Sequence, residues 1–205
     1  MKTIKLVAFF LVLNLYSFGK LQFIAHRGAS YYAPENSQAA IHLAWELGCD
    51  GAEIDIQLTV DNQIVVWHDT NTNCLTNQLD IANTSYSELK KLDIKLRASN
   101  SAYFEGQRMA LLKEVLKTIP ENQLLVIEIK CGNEIFPVLK KVISKNWKSG
   151  RIALIGFGFE TISMAKSLFP EVPCYYLTES KEVLMKNLPE IKKNKLDGVD
   201  LHLKV

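Results

Sequence analysis

The chain has 205 residues, of which 48% are hydrophobic and 22% are charged, and its formal net charge is +2. This length supports one domain with a substantial core, and the composition excludes an intrinsically disordered chain. The nearly balanced charge, without a Lys/Arg stripe interleaved with aromatic residues, argues against a nucleic-acid partner.

The first nineteen residues have the pattern of a secretory signal peptide. Two lysines precede an apolar run over residues 6–13, and Ser17 and Gly19 are the small residues of a cleavage site. The run is short for a membrane span, which needs about 20 apolar residues. We predict a signal peptide at 1–19, one domain at 20–205, and an exported protein, periplasmic or secreted, with no stable membrane span after cleavage. An uncleaved N-terminal anchor is the alternative.

Short apolar segments alternate with longer helical ones after this leader. The predicted strands are 21–25, 51–58, 63–67, 124–129, 152–155, 173–177 and 198–201. The predicted helices are 37–47, 86–92, 111–118, 134–146, 160–169 and 181–193. Strands that alternate with helices predict parallel βα units in a barrel or a doubly wound sheet, and the first strand lacks the Gly-rich turn of a dinucleotide site. The polar stretch 71–109 is predicted to be a long, irregular and functional excursion.

Four cysteines occur, and their spacing does not fit a Cys-x-x-Cys zinc site; they are Cys49, Cys74, Cys131 and Cys174. An oxidising compartment would permit a bridge between Cys74 and Cys131. Unpaired small core residues are the simpler interpretation.

Charged side chains gather at the carboxyl ends of two predicted strands. Alternation puts Glu53, Asp55 and Gln57 on one face of the second strand, and Glu128 and Lys130 on one face of the strand at 124–129. Carboxylates that face the interior repel one another unless a cation neutralises them. We therefore predict that Glu53, Asp55 and Glu128 bind a divalent cation, Mg²⁺ or Ca²⁺, with Mn²⁺ as an alternative.

Two histidines also follow predicted strands. His26 precedes Arg27, and His68 precedes an aspartate. Two imidazoles near one metal can divide the roles of general base and general acid. Arg27 offers a planar fork of donors for a phosphate group, and Lys130 offers a second positive charge.

Five short motifs together resemble those of the glycerophosphodiester phosphodiesterases. The segments HRGASYYAPENS, GAEIDIQLTVDNQIVVWHD and EIK contain, in order, the family's HRG, PEN, E-x-D, HD and E-x-K elements. Weaker similarity continues through MALLKEVL and FGFETISMAKSLFPEVPCYYL, so that the resemblance covers roughly residues 23–201. The ordered combination is highly specific.

This resemblance implies a TIM-type (β/α) barrel that hydrolyses a small-molecule glycerophosphodiester to an alcohol and sn-glycerol 3-phosphate. It implies that His26 and His68 are catalytic, that Glu53, Asp55 and Glu128 bind the metal, and that Arg27 and Lys130 contact the phosphate; it also implies that Glu35 and Asn36 of the PEN motif brace the site. A related phospholipase D or sphingomyelinase-like hydrolase, and a non-catalytic remnant that only binds metal or ligand, are the alternatives.

The sequence departs from the family pattern in three segments. NTNCLTNQLD follows the HD motif where the family has Arg-Thr-Thr and a glycine turn, and Gly-Phe stands where Ser-Phe is common after the fifth strand. The sequence ends at LDGVDLHLKV, before the last helix, the eighth strand and its Trp-Thr motif. We therefore expect a barrel of about seven strands that is incomplete at its C-terminus.

Overall fold

A computed structural model describes residues 21–75, 77–94 and 104–201. The strands are β1 (Ile24–Ala25), β2 (Gly51–Leu58), β3 (Ile64–Val66), β4 (Ala110–Leu111), β5 (Leu124–Ile129), β6 (Arg151–Gly156), β7 (Cys174–Thr178) and β8 (Gly198–Leu201). The helices are α1 (Gln38–Glu46), α2 (Tyr86–Leu89), α3 (Leu112–Val115), α4 (Phe136–Asn146), α5 (Phe159–Leu168) and α6 (Lys181–Lys193), with a 3₁₀ turn at Asn133–Ile135. The predicted signal peptide at 1–19 lies outside the described residues.

Six strands form a parallel sheet in the order β1-β2-β5-β6-β7-β8. Helices α1, α4, α5 and α6 lie in the crossovers between successive parallel strands, as a (β/α) barrel requires. Within the described residues, β1 and β8 lie at the two ends of this sheet and do not pair with each other. The predicted fold class, an incomplete TIM-type barrel, is confirmed.

The prediction of parallel βα units is wrong for the third strand. β3 runs antiparallel to β2, with Gln57 opposite Val65, and β4 runs antiparallel to β3. Residues 59–63 are too few for a crossover connection and can only form a hairpin. Asn62, in the left-handed region with φ of 56°, lies in that turn. The part of the chain that the structure describes thus has eight strands instead of about seven, and β3 and β4 extend the sheet beside the parallel set.

The first strand is shorter than predicted. Only Ile24 and Ala25 pair with β2, although residues 21–25 were expected to be extended and buried. Leu21 and Phe23 are exposed, and the backbone N–H of Phe23 donates to the side chain of Asp50 instead of to a neighbouring strand. The apolar residues at positions 21 and 23 therefore gave a misleading strand signal.

Two hydrophobic clusters support the sheet. The larger one packs the outward side chains of the parallel strands, such as Ile54 and Ile127, against the helices. The smaller one lies beneath the excursion after β3 and includes Trp67, Ile81 and Leu89. The excursion predicted at 71–109 is therefore anchored by a core of its own where it is described. Among the residues that the structure describes, no helix is long and apolar enough to span a bilayer.

Cys49, Cys131 and Cys174 are free thiols, so the candidate bridge between Cys74 and Cys131 is not formed. Burial raises the pKa of Cys131 to about 11 and that of Cys174 to about 12. Both thiols are therefore protonated at neutral pH and are poor nucleophiles.

Candidate active site

Neighbouring strands bring the three predicted metal ligands together. Asp55 on β2 is directly opposite Glu128 on β5, and Glu53 lies on the same face of β2 two residues earlier. One carboxylate oxygen from each residue lies within 4.8 Å of the other two, and all three side chains are buried. The alternation of side chains along β2 thus produces the predicted cluster.

The electrostatics of this cluster favour a bound cation. Burial, followed by the charge of Asp55, raises the pKa of Glu53 to about 8. Burial also raises the pKa of Glu128, although Lys130 opposes the shift. Oε1 of Glu53 and Oδ1 of Asp55 are buried without a hydrogen-bond partner. A bound cation would supply the missing partner for both oxygens and offset the repulsion, so the residues present fit a metal ion with oxygen ligands.

The loop after β1 ties its arginine to this cluster. The backbone N–H of Arg27 donates to Oε2 of Glu53 at 2.9 Å, and its Nε lies 3.3 Å from Oδ2 of Asp55. Its Nη1 donates to both carboxylate oxygens of Glu35 at 3.1 Å. A side chain at Gly28 would begin 2.6 Å from the carbonyl carbon of Ala40, so only glycine lets this loop pack so closely on α1. Glu35 therefore holds the guanidinium at the edge of the cluster.

Asn36 forms two hydrogen bonds with Asp55, one of the three clustered carboxylates. Its amide Nδ2 donates to Oδ2 of Asp55 at 2.8 Å, and its Oδ1 accepts from the backbone N–H of Asp55 at 3.0 Å. The residue is buried and has a φ of 59°, a conformation that asparagine tolerates better than most residues. These two hydrogen bonds fix the orientation of the Asp55 side chain.

Replacing Asn36 by Ala is expected to lower the free energy of unfolding by about 2–4 kcal/mol, because two buried hydrogen bonds to Asp55 are lost, one to its carboxylate and one from its backbone N–H, and alanine is strained at positive φ. Chemical denaturation measures this change. Asn62→Ala is the matched control, since Asn62 also has positive φ but is exposed; it is expected to cost about 1 kcal/mol. Equal losses in the two variants would show that the bonds to Asp55 contribute nothing.

The two histidines lie at the rim of the same cavity. Nε2 of His26 is 3.9 Å from Oε2 of Glu53, and partial desolvation, followed by the charge of Arg27, lowers the pKa of His26. Nδ1 of His68 is 2.6 Å from Oδ1 of Asp69, and its Nε2 is 3.2 Å from Nζ of Lys130. A lysine ammonium only donates, so Nε2 of His68 accepts and the imidazole proton lies on Nδ1, toward Asp69.

These groups line a cavity of about 430 Å³ at the carboxyl ends of the parallel strands. One wall carries the predicted site residues His26, Arg27, Glu53, His68, Glu128 and Lys130. The other wall, formed from β6, β7, β8 and the residues that follow them, carries Ile155, Phe157, Leu177, Glu179, Asp200 and Leu201. Nζ of Lys130 also lies 5.8 Å from the centroid of the Phe157 ring.

Sequence reasoning missed the second wall and the partner of His68. Asp69 could have been found, because an acidic residue next to a histidine often orients the imidazole. The residues from β6 to β8 carry no such signal, since an apolar residue such as Leu177 is equally typical of a core and an acidic residue such as Asp200 is equally typical of a surface. Only the curvature of the sheet brings them to the cavity.

The metal-free protein is expected to become less stable as pH rises from about 5 to 8. Glu53 has a folded-state pKa of about 8 against an ordinary value of 4.5. The folded state therefore retains a proton that the unfolded chain has released, and stability falls with rising pH in this window. Denaturation in EDTA at pH 5.5 and 8.5 measures the decline, which Glu53→Gln should reduce and a divalent cation should counteract. An identical decline in Glu53→Gln would assign it to other groups.

The fold and the cavity together define an α/β barrel with an acidic centre that could hold a cation at the carboxyl ends of its strands. This is the end of a parallel barrel at which active sites are found. Residues 26–205 match the sequence profile of the glycerophosphoryl diester phosphodiesterase family, and the chain belongs to that family.

Individual relatives agree with this membership. A glycerophosphodiester phosphodiesterase of Caldanaerobacter subterraneus subsp. tengcongensis is 36% identical over 155 residues, which are 73% of this chain and 63% of that protein. A Bacillus subtilis enzyme of the same name is 28% identical over 188 residues, covering 83% of this chain and 64% of that protein. The chain thus spans slightly less than two thirds of the length of these relatives. An Oleispira antarctica phosphodiesterase, solved in complex with the product sn-glycerol-3-phosphate, is structurally similar, with a TM-score of 0.80, 26% identity and coverage of 89% of this chain and 75% of that one.

Proposed function

We propose that this protein hydrolyses glycerophosphodiesters to an alcohol and sn-glycerol 3-phosphate with the help of a divalent cation. The observation that carries the proposal is one cavity lined by two histidines, two cationic side chains and the buried carboxylates Glu53 and Glu128, with a carboxylate oxygen of Asp55 within 4.8 Å of both. Family membership and the product bound by the Oleispira antarctica relative support this choice of reaction. Mg²⁺ or Ca²⁺, with Mn²⁺ as an alternative, suits ligands that are all carboxylate oxygens.

Two cations of the chain would bind the phosphate. Arg27 presents a guanidinium that Glu35 and Asp55 already orient, and Lys130 presents an ammonium beside Glu128. A metal held by Glu53, Asp55 and Glu128 would act as a Lewis acid toward a phosphate oxygen. Together these positive charges offset the charge that develops on the phosphoryl oxygens in the transition state.

The two histidines would transfer the protons. As a water oxygen bonds to phosphorus and the bond to the alcohol oxygen breaks, one imidazole removes a proton from the water and the other gives a proton to the alcohol. His26 suits the first role, because its lowered pKa keeps it neutral near pH 7. His68 would then be the donor, and Asp69 would orient its imidazole.

We also infer that residues 1–19 direct export, so that the barrel domain acts in the periplasm or outside the cell. The support is the leader's pattern of lysines, apolar run and small residues, and the family match begins after it, at residue 26. N-terminal sequencing of the protein recovered from an exporting host is expected to begin at Lys20. A chain that still begins at Met1 would favour the anchor.

The activity is tested by release of sn-glycerol 3-phosphate from glycerophosphocholine. Residues 20–205, purified and freed of metal, are expected to turn over only after Mg²⁺, Ca²⁺ or Mn²⁺ is added, and EDTA should stop the reaction. A parallel assay with lysophosphatidylcholine distinguishes the related phospholipase D activity. A folded, metal-loaded protein that hydrolyses neither substrate would contradict the proposal and favour the non-catalytic alternative.

A further inference from the structure

Gln57 is a buried polar residue for which the proposed reaction has no role. It lies on the same face of β2 as Glu53 and Asp55, two residues beyond Asp55, and it is 5% exposed. Neither of the two proton transfers nor the metal site uses its amide. A buried amide retained beside a catalytic cavity calls for an explanation, because burying an unneeded polar group is costly.

The amide of Gln57 is hydrogen-bonded to three successive backbone carbonyls around His68. Its Nε2 donates to the carbonyl oxygens of Trp67 and His68, both at 3.2 Å, and to that of Asp69. Regular pairing between β2 and β3 continues through the bond from the N–H of Trp67 to the carbonyl of Asp55. Beyond this bond the chain leaves the sheet, and three successive carbonyls converge on one side-chain donor. Without that donor, they would face one another in a buried space.

We propose that Gln57 is a positioning residue that fixes His68 relative to the metal ligands. Glu53 and Asp55 are residues of β2 itself. The His68–Asp69 pair is attached to the same strand by the hydrogen bonds of the Gln57 amide. His68 also contacts Lys130, which follows β5. This contact depends on the position of the His68 backbone, and therefore on Gln57. The consequence for catalysis rests on the function proposed above, whereas the placement of His68 does not.

The test replaces Gln57 by Met, which has similar length but cannot donate. Thr59→Val is the matched control: Thr59 is also buried at the end of β2, but its hydroxyl bonds Asp61 and Gln63 in the hairpin turn and does not reach the histidine loop. We expect Gln57→Met to lower kcat about 10–100-fold with KM and metal affinity nearly unchanged, because a small displacement of a catalytic group has effects of this size. Thr59→Val should lose comparable stability and retain kcat.

A double-mutant cycle shows whether Gln57 acts through His68. In a His68→Ala background, assayed with an activated aryl phosphodiester to keep the rate measurable, Gln57→Met should cause no further loss. An equal loss in both backgrounds, or no loss in the parent, would overturn the proposal.

Proton NMR tests the placement without requiring turnover. The 2.6 Å contact between His68 and Asp69 should give a downfield imidazole N–H signal that is absent in His68→Ala. Gln57→Met should shift or broaden this signal and Thr59→Val should preserve it. An unchanged signal in folded Gln57→Met would overturn the placement. If the signal changes as expected in Gln57→Met but the parent protein shows no hydrolytic activity, the result counts only against the proposed function.

Discussion

Asp55→Asn is expected to abolish tight binding of the divalent cation and to lower the rate of glycerophosphodiester hydrolysis by at least about 10³-fold, because metal assistance to such a reaction contributes several kcal/mol. Asp55 is the most deeply buried of the three carboxylates, at 1% exposure, and its Oδ1 has no hydrogen-bond partner. The amide can still accept from Asn36 but presents a weaker ligand to the cation. Isothermal titration calorimetry with Ca²⁺ or Mg²⁺, beside the hydrolysis assay, measures both effects.

A stability measurement distinguishes this loss from unfolding. In EDTA, Asp55→Asn is expected to be at least as stable as the parent, because it removes one charge from a buried cluster that repels itself. Asp61→Asn is the control, since Asp61 lies on the neighbouring hairpin, hydrogen-bonded to Thr59 and away from the cluster. It should retain metal binding and activity. Unchanged cation affinity in Asp55→Asn would show that the metal is not held by this cluster.

His26→Ala is expected to lower kcat by about 10²–10⁴-fold, the range that a general acid–base group contributes. Cation affinity and melting temperature should change little, since the His26 side chain is 68% exposed and contributes little packing. The parent rate should rise with pH on the acid side of the profile as His26, whose pKa lies below 6.5, loses its proton, and the variant should lack this limb.

His42→Ala is the matched control for this variant. His42 is exposed on α1 and outside the cavity, so its replacement should leave kcat and the pH profile as they are. Activity in His26→Ala equal to that of His42→Ala would mean that His26 takes no part in proton transfer, and the water would then be activated without it.

The carboxylate cluster was predictable because it depends on local periodicity. Glu53 and Asp55 alternate with isoleucines on β2, and the pattern alone assigns them to the inner face. Glu128 could be added because a second strand showed the same switch from apolar to charged near its end. The spacing within each strand is sufficient to assign these side chains to a face. Their proximity follows from one further rule, that the carboxyl ends of parallel strands lie at the same edge of the sheet.

The features that escaped prediction depend on pairing between distant segments. The direction of β3 depends on the length of one turn, and β4 is only two residues long, with no pattern of its own. The wall that contains Phe157 and Asp200 joins the site only through the order of β6, β7 and β8 in the sheet. The contacts of Gln57 with three carbonyls follow from the path of a loop after it leaves the sheet, which composition does not encode.

The concentration of function on β2 has a consequence for how this protein can change. The clustered carboxylates Glu53 and Asp55 and the Gln57 amide project from one side of a single strand, so deleting or inserting one residue between positions 53 and 57 would turn part of that set toward the helices at once. A substitution changes one of these positions at a time, whereas a shift of the strand register changes several of them together. Length variation should instead be tolerated in the excursion after β3, which packs over a separate small core. Insertions and deletions would therefore be placed in that excursion, and the length of β2 would be left unchanged.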